Sequence, residues 1–297
     1  MESQATSRQM KINWYPGHMK RARRQIADML PRIDVVIEVL DARLPMSSAN
    51  PVLRELNRHK PCIKVLNKND LADPKVTQEW VGHFENEDGI RALPLEAKEP
   101  LSVARLPKLC RNLAPRRGKP GKPVRTMVVG IPNVGKSTLI NTLAGKRVAR
   151  VGNRPALTTC PQQIDLHNHI LLSDTPGLLW PRLEDQKGAY RLAVSGAIGD
   201  KAIDYVDLAL FAAEFMAVRY PEQVIRRYKF ETMPGTATEI IDEIGRRRGC
   251  LISGGEIDVQ RTAEIFLREL RAGWLGRVSF ERLEDMVVEE SEEDLET

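Results

Sequence analysis

The sequence predicts an α/β fold, a mostly parallel sheet with helices on both faces, followed by a smaller all-α part. Three observations carry this expectation. Apolar, β-branched runs alternate with amphipathic helical runs as far as about residue 180, which is the pattern of a helix-covered parallel sheet. A glycine-rich stretch, "GIPNVGKST" (130–138), stands between one such run and a helix. From Trp180 onward nearly every signal is helical.

The elements follow in order. Met19, Ala22, Ile26, Met29 and Leu30 sit at near-helical spacing among basic residues, and Pro31 closes that run, so residues 18–30 read as a basic amphipathic helix. "DVVIEVLDAR" reads as a buried strand, "NPVLRELNRH" as a helix and "PCIKVLNKND" as a second strand ending in polar residues. "VTQEWVGHFENE", "IRALPLEA" and "LSVARLPKLCRNLA" repeat the alternation as helix, strand and helix. "PRRGKPGKP" (115–123), with three prolines and two glycines, interrupts the rhythm, but the strand "VRTMVVG" follows it, so it reads as a linker inside one sheet. "QQIDLHNHILLSDTPG" supplies two strands, a hairpin around His167–His169. "DYVDLALFAAEFMAVRY", "ATEIIDEIGRRRG" and "DVQRTAEIFLRELRAG" are helices. The expected division is therefore an α/β part over 1–180, a helical part over 181–283 and an acidic, disordered tail over 284–297.

Composition narrows the function classes. The apolar runs fall short of the roughly 20 residues a bilayer crossing needs, and the start shows no secretory pattern, so a cytoplasmic location is expected, with an organelle matrix also compatible. The four cysteines are far apart, which argues against a zinc cluster or a disulfide framework. Residues 284–297 hold eight acidic residues and no Lys or Arg, leaving 45 basic against 32 acidic residues, +13, in the chain before them. A body that basic suits a phosphate-rich partner, with the tail screening it until the partner arrives.

The chemistry lies in the loops. "GIPNVGKST" matches G-x-x-x-x-G-K-[ST] at Gly130, Gly135, Lys136 and Ser137, with Asn133, Val134 and Thr138 completing the loop. Its glycines let backbone N–H groups turn toward phosphates, Lys136 reaches the β/γ-phosphates, and Ser137 offers a hydroxyl to Mg²⁺. ATPases and kinases use the same loop, so the base is named elsewhere. In "NKND", Asn67 can address guanine N7 or O6, Lys68 packs its stem near the base, Asn69 continues the turn, and Asp70 can accept from guanine N1–H and N2–H₂. The end of a parallel strand is where open α/β sheets bind ligands. "DTPG" ends another strand as D-x-x-G, with Asp174 for a Mg²⁺-bound water and the Gly177 N–H for the γ-phosphate. In "EAK", Ala97 and Lys98 match an S-A-K element whose backbone meets the guanine oxygen, Glu96 replacing the usual Ser. Between the phosphate loop and D-x-x-G, Thr158 or Thr159 in "RPALTTCPQQ" completes the Mg²⁺ shell.

Every part of a G domain is present in the order base-reading loop, S-A-K-like loop, P-loop, threonine loop, D-x-x-G. This is a circularly permuted P-loop G domain. The chain resembles the circularly permuted GTPases of bacterial ribosome assembly, the YlqF (RbgA) family, over about residues 12–280. "WYPGHMKRARR" is similar to that family's N-terminal W-[FY]-P-G-H-M signature, and "RRRGCLISGGEIDVQRTAEIFLRELRAGWLGR" to its C-terminal RNA-binding segment. Ala156 stands where the family commonly has glycine. The resemblance implies binding of GTP and GDP with Mg²⁺, and GTP hydrolysis coupled to late assembly of the large ribosomal subunit. The partners it implies are that subunit and its rRNA, with no membrane required, and a monomer is expected. An alternative is a nucleotide-gated RNA-binding placeholder with incidental hydrolysis.

Leu178 follows D-x-x-G where a Ras-like enzyme carries a water-orienting Gln, so help must come from elsewhere. The family's histidine corresponds to His18, which becomes the candidate water-orienting residue. In related G domains an Asn at the Asn133 position helps hold K⁺ beside the phosphates. Turnover is expected to be slow until ribosomal particles stimulate it. Arg246, Arg247, Arg248, Arg261, Arg268, Arg271 and Arg277, with Lys20, Arg21, Arg23 and Arg24, are the expected RNA contacts, whereas Trp274 and Tyr228 can stack on bases but are expected in the helical core. The permutation moves the chain's exit to just after "DTPGLL", so the helical part hangs from the loop that senses the γ-phosphate.

Overall fold

The computed structural model describes residues 16–56, 60–149, 162–166, 168–175, 177, 186–198 and 204–286. Among the described residues, six strands form one sheet: β1 (Val35–Asp41), β2 (Cys62–Asn67), β3 (Ile90–Pro94), β4 (Val124–Val129), β5 (Gln162–Asp165) and β6 (Ile170–Asp174), in the order β3-β2-β1-β4-β6-β5. All neighbours are parallel except β5, which returns antiparallel to β6 as the expected hairpin. The strand that follows the Pro/Gly-rich linker, β4, pairs with β1, so the linker does lie within one sheet. Strand order reverses between β1 and β4, the point beside which open α/β sheets bind ligands at the strands' C-terminal ends.

Around the sheet lie α1 (Pro16–Met29), α2 (Pro45–Ser48), α3 (Pro51–Leu56), α4 (Pro74–Glu85), α5 (Pro100–Val103), α6 (Leu106–Leu113) and α7 (Lys136–Ala144). The helix expected across 101–114 is two helices, because Pro107 fits only a first turn and forces a restart at Leu106. The helical part contains α8 (Gln186–Ser195), α9 (Tyr205–Arg219), α10 (Pro221–Tyr228), α11 (Ala237–Arg248) and α12 (Val259–Arg271). Caps explain several starts: Asp204 accepts from Val206 N–H, Asp258 from Arg261 N–H, and Thr236 with Glu239 forms a capping box.

Strand alternation divides the core. Val35, Ile37 and Val39 of β1, with Ile63 and Val65, face a large cluster that continues without interruption into Leu208, Ala212 and Met216 of α9 and Phe266 of α12. Val36, Cys62, Met127 and Val129 face Ala22, Ile26 and Leu30, which is why α1 needs its apolar stripe. Leu40 and Leu66 pack with Val76, Trp80 and Phe84 of α4. Strand β1 is buried along its whole length, including Glu38, which accepts from Lys64 Nζ at 2.9 Å. Burial pushes the Cys62 and Cys110 thiols up to about 12, so both are inert structural thiols.

The acidic end begins inside the fold. Glu281 is fully buried and accepts from the N–H groups of Met46 and Ser47 at 2.8 and 2.9 Å. Glu284 and Asp285, the first residues of the expected tail, pair with Arg219. Residues 287–297 lie outside the described residues.

Candidate functional site

The loops singled out in the sequence converge at the C-terminal ends of β2, β3, β4 and β6. After β4 the chain turns through Asn133 (φ 58°) and Gly135 (φ 103°) into α7. A Cβ at Gly135 would lie 2.2 Å from Asn67 Nδ2, so no other residue fits. No side chain caps α7, and its first N–H groups, with the positive end of the helix dipole, are left to an anion. Lys136 is buried at the first position of α7, and its Nζ donates to Ile131 O at 2.7 Å. Burial lowers its pKa to about 8, against the opposing pull of Asp174. Asp174 ends β6 opposite Val128 of β4, and Thr175 Oγ1 donates to Val128 O at 2.6 Å. Gly177 lies against the loop: a Cβ there would come within 3.0 Å of Lys136 Nζ and 3.1 Å of Pro132 N.

The base-reading side is built from side-chain bonds. Asn67, assigned by the sequence to guanine N7 or O6, also acts as a bracket, with one amide hydrogen committed to the phosphate loop. Its Nδ2 donates to Val134 O of the phosphate loop at 2.6 Å, and its Oδ1 accepts from Ala97 N–H at 2.8 Å. Thr142 Oγ1 of α7 donates to Ala97 O at 2.7 Å, so three loops are locked to one another. Lys68 holds a left-handed backbone, φ 60°, which is strained for a side-chain-bearing residue. Its Nζ donates to Asp41 Oδ2 at 2.8 Å. Arg43 forks onto the same carboxylate, Nε to Oδ1 at 2.9 Å and Nη2 to Oδ2 at 2.8 Å. Burial opposes ionisation of Asp41, yet Arg43 and Lys68 hold its carboxyl well below the usual range. Burial also lowers the Lys68 pKa, with Asp41 resisting. Asp70 is exposed at the tip of the loop, and Asn69 N–H donates to Leu95 O at 3.2 Å. Lys98 is exposed beside Ala97.

Sequence reasoning missed Asp41 and Arg43. The signal was present: an acid and a base two residues apart end a strand that is apolar apart from Glu38, where burial demands that they pair. The reading also missed how closely the helical part holds the site. Backbone carbonyls at the end of α8 receive Asn133 Nδ2 (Gly196 O, 3.3 Å), Arg43 Nη2 (Ser195 O, 3.1 Å) and Arg271 (Val194 O, 3.0 Å; Ala193 O, 2.9 Å).

Several of the arginines expected at RNA also bond within the protein, Arg277 from an exposed position. Arg271 holds α8, Arg248 pairs with the buried Glu269, and Arg277 donates to carbonyls of the base-reading loop. Arg246 and Arg247 share Glu243 on the surface, while Arg261 and Arg268 are exposed on α12. Tyr228 is core, as expected, but Trp274 is 57% exposed with the Arg227 guanidinium over its ring at 5.2 Å. Thr158, Thr159, Ala156 and Leu178 fall outside the described residues, and His18 is placed only as backbone in the first turn of α1.

The oxygen donors Ser137, half-buried in the first turn of α7, and Asp174, on the strand next to the phosphate loop, fit a hard cation such as Mg²⁺, which takes a few protein oxygens and completes its shell with water and phosphate. Among the described residues there is no cluster of three or more His, Cys, Asp or Glu side chains that could hold a metal by itself. Among them, too, no helix is long and apolar enough to cross a membrane.

Comparison with known proteins agrees with this geometry. The family model for 50S ribosome-binding GTPases matches residues 125–241, starting at β4 and leaving the base-reading strand N-terminal to the match. Ribosome biogenesis GTPase A of Bacillus cereus is 45% identical over 283 residues, 93% of this chain and 95% of that protein. The GDP-bound structure of YlqF from T. maritima superposes with a TM-score of 0.63 at 31% identity, covering 88% of this chain and 99% of that one; the GNP-bound structure gives 0.62 at the same identity, covering 88% and 98%. With the base-reading strand β2 preceding the phosphate-loop strand β4 in sequence and both converging on one pocket, the chain belongs to the ribosome biogenesis GTPase A (YlqF/RbgA) family of GTP hydrolases.

Proposed function

We propose that this ribosome-assembly GTPase binds the large-subunit precursor in its GTP state and leaves it after hydrolysis. The observation that carries the reading is the Asn67 bracket, which joins the phosphate loop to the S-A-K-like loop and so builds base and phosphate recognition into one pocket. In it, Asp70 accepts from the guanine N1 and N2 edge, the Ala97–Lys98 backbone meets the base oxygen, and Lys68 lines the base, held by Asp41. The N–H groups from Val134 to Thr138 cradle the phosphates, Lys136 neutralises them, and the Gly177 N–H reports the γ-phosphate. Ser137 and Asp174, with Thr158 or Thr159, hold Mg²⁺, which supplies charge neutralisation on the phosphate oxygens.

An apolar Leu178 cannot orient water, so the attacking water is positioned by His18. Backbone placement supports this. Helix α1 joins the start of β1 through a 3-10 turn at Leu30–Arg32 and lies along the sheet on Ala22 and Ile26, which directs its first turn toward the strands' phosphate-binding ends. Asn133, whose amide already ties the loop to Gly196, is the residue for a K⁺ beside the phosphates; equal hydrolysis rates in K⁺ and Na⁺ at matched ionic strength would remove that role. The helical part, residues 181–283, grips rRNA through Arg246, Arg247, Arg261 and Arg268, reading shape and backbone. The protein acts as a monomer.

Co-sedimentation with separated ribosomal particles tests the reading. Retention on large-subunit particles with a non-hydrolysable GTP analogue, and release with GDP, is the expected result. Equal retention in both nucleotide states would overturn it, and single-turnover hydrolysis unchanged by added particles would replace it with the placeholder reading.

A further inference from the structure

After α12 the chain does not end in the helical part. The segment 273–281 runs back across the α/β part and lies along the loop that follows "NKND". Leu71 packs directly on Gly273. Arg277 Nη2 donates to Asn69 O at 2.7 Å and its Nε to Ala72 O at 2.8 Å. Val278 N–H donates to Leu71 O at 2.8 Å, and Asp73 N–H donates to Ser279 Oγ at 3.1 Å. Tyr220 Oη receives Ser279 N–H at 3.1 Å and lies 3.3 Å from Asp73 Oδ2, so the segment is itself fastened to the helical part. Asp70 is thus the one residue between Asn69 and Asp73 with no direct bond to this strap, and it is flanked on both sides by residues that have one.

We propose that the segment 273–281 positions the base-reading loop, and that Arg277 is a positioning residue for guanine recognition. The guanidinium suits the task. Its planar fork binds two carbonyls three residues apart and fixes the turn between them, a geometry that a single ammonium does not reproduce. Asp70 must meet two N–H groups of the base at hydrogen-bond distance, and such a pair discriminates only when the carboxylate is held before the base arrives. The cost of ordering the loop is met in the folded protein, by residues about 200 positions away in the sequence. Conversely, a partner that pulls the helical part from the α/β part slackens the loop and weakens base binding, and the reciprocal effect follows from linkage. The helical part is therefore tied to both ends of the nucleotide: the phosphate loop through Asn133 and Gly196, and the base loop through Arg277.

This inference rests on the reading of Asp70 as the guanine-contacting carboxylate, and the experiment separates the two. Affinities of the full chain for GDP, for inosine diphosphate, which lacks the N2 amine, and for xanthosine diphosphate are measured by equilibrium titration. The variants are Arg277→Ala, Arg277→Lys, Asp70→Asn and Arg219→Ala, the last removing an arginine that pairs with Glu284 and Asp285 instead. Arg277→Ala is expected to weaken GDP on the order of tenfold and inosine diphosphate by less than about threefold, so that discrimination falls. Arg277→Lys restores part of it, and Arg219→Ala leaves it unchanged. A GDP-to-inosine ratio unaltered by Arg277→Ala, while Asp70→Asn gains xanthosine diphosphate, overturns the positioning role alone. Failure of Asp70→Asn to gain xanthosine diphosphate overturns the base reading beneath it.

Discussion

The two ends of the nucleotide pocket are built by opposite means. At the base end, polar side chains fill the structure: Asp41, Arg43 and Lys68 form a buried ionic triad, and Asn67 bridges two loops. At the phosphate end, side chains are excluded. Gly135 and Gly177 stand where a Cβ would strike Asn67, Lys136 or Pro132, and the Lys136 ammonium there is desolvated. The base end is therefore assembled before ligand arrives, whereas the phosphate end holds open donors and a lowered lysine pKa that an anion must complete. A base is neutral and is recognised by shape and hydrogen bonds, so rigidity serves it. Phosphates change during the reaction, so a site completed by their charge can report which are present.

The largest expected effect breaks the base end. Asp41→Asn leaves two buried cations without their counter-charge and should cost about 3–5 kcal/mol, lowering Tm by roughly 10 °C. Guanine affinity falls with it, because Lys68 loses its anchor. Glu38→Gln is the matched control, disturbing a buried pair with Lys64 away from the pocket, and should lower Tm without changing the preference for guanine. Differential scanning fluorimetry and nucleotide titration on both variants separate the two roles. Loss of guanine preference in Glu38→Gln as well would mean that stability alone governs it.

The next effect lies at the phosphate end. His18→Ala should reduce GTP turnover by at least about tenfold, close to 1.4 kcal/mol in the barrier, with GTP affinity near normal. Single-turnover hydrolysis beside equilibrium binding reads both. Equal loss of binding would assign His18 to folding.

The smallest effect is a pH dependence confined to the phosphates. With its pKa lowered to about 8 in the ligand-free pocket, Lys136 is mostly protonated at pH 7 and mostly neutral at pH 9. Bound phosphates favour the charged form and raise the pKa, so binding above pH 8 must take up a proton. Affinity for GDP should be flat below about pH 7 and fall by up to about tenfold per unit above 8. Guanosine, which shares the base but carries no phosphate, should show no such fall over that range. A parallel decline for both would place the titration at the base end.

Much of this was legible in the sequence because the motifs are local. Strand, glycine-rich turn and helix follow one another in "VVGIPNVGKST", and alternation of apolar runs gave the sheet without any knowledge of its pairing. What could not be read was long-range. Nothing local shows that Asn67 will also tie the phosphate loop at Val134 to Ala97. The intramolecular bonds of Arg271 and Arg277 were equally hidden, because a basic residue on a helix or after it has the same local pattern whether it meets phosphate or backbone carbonyls. Only the return of the chain from α12 onto the α/β part distinguishes them. Trp274 went the other way, since an aromatic near a helix end reads as core until its neighbours are placed.

Backbone hydrogen exchange of the ligand-free and GDP-bound protein tests the contrast between the two ends most directly. The account predicts that amides of residues 66–72 are already protected without nucleotide and gain little with GDP, while those of 131–138 exchange rapidly and gain strongly. Comparable gains at both ends, or early protection confined to 131–138, would contradict it.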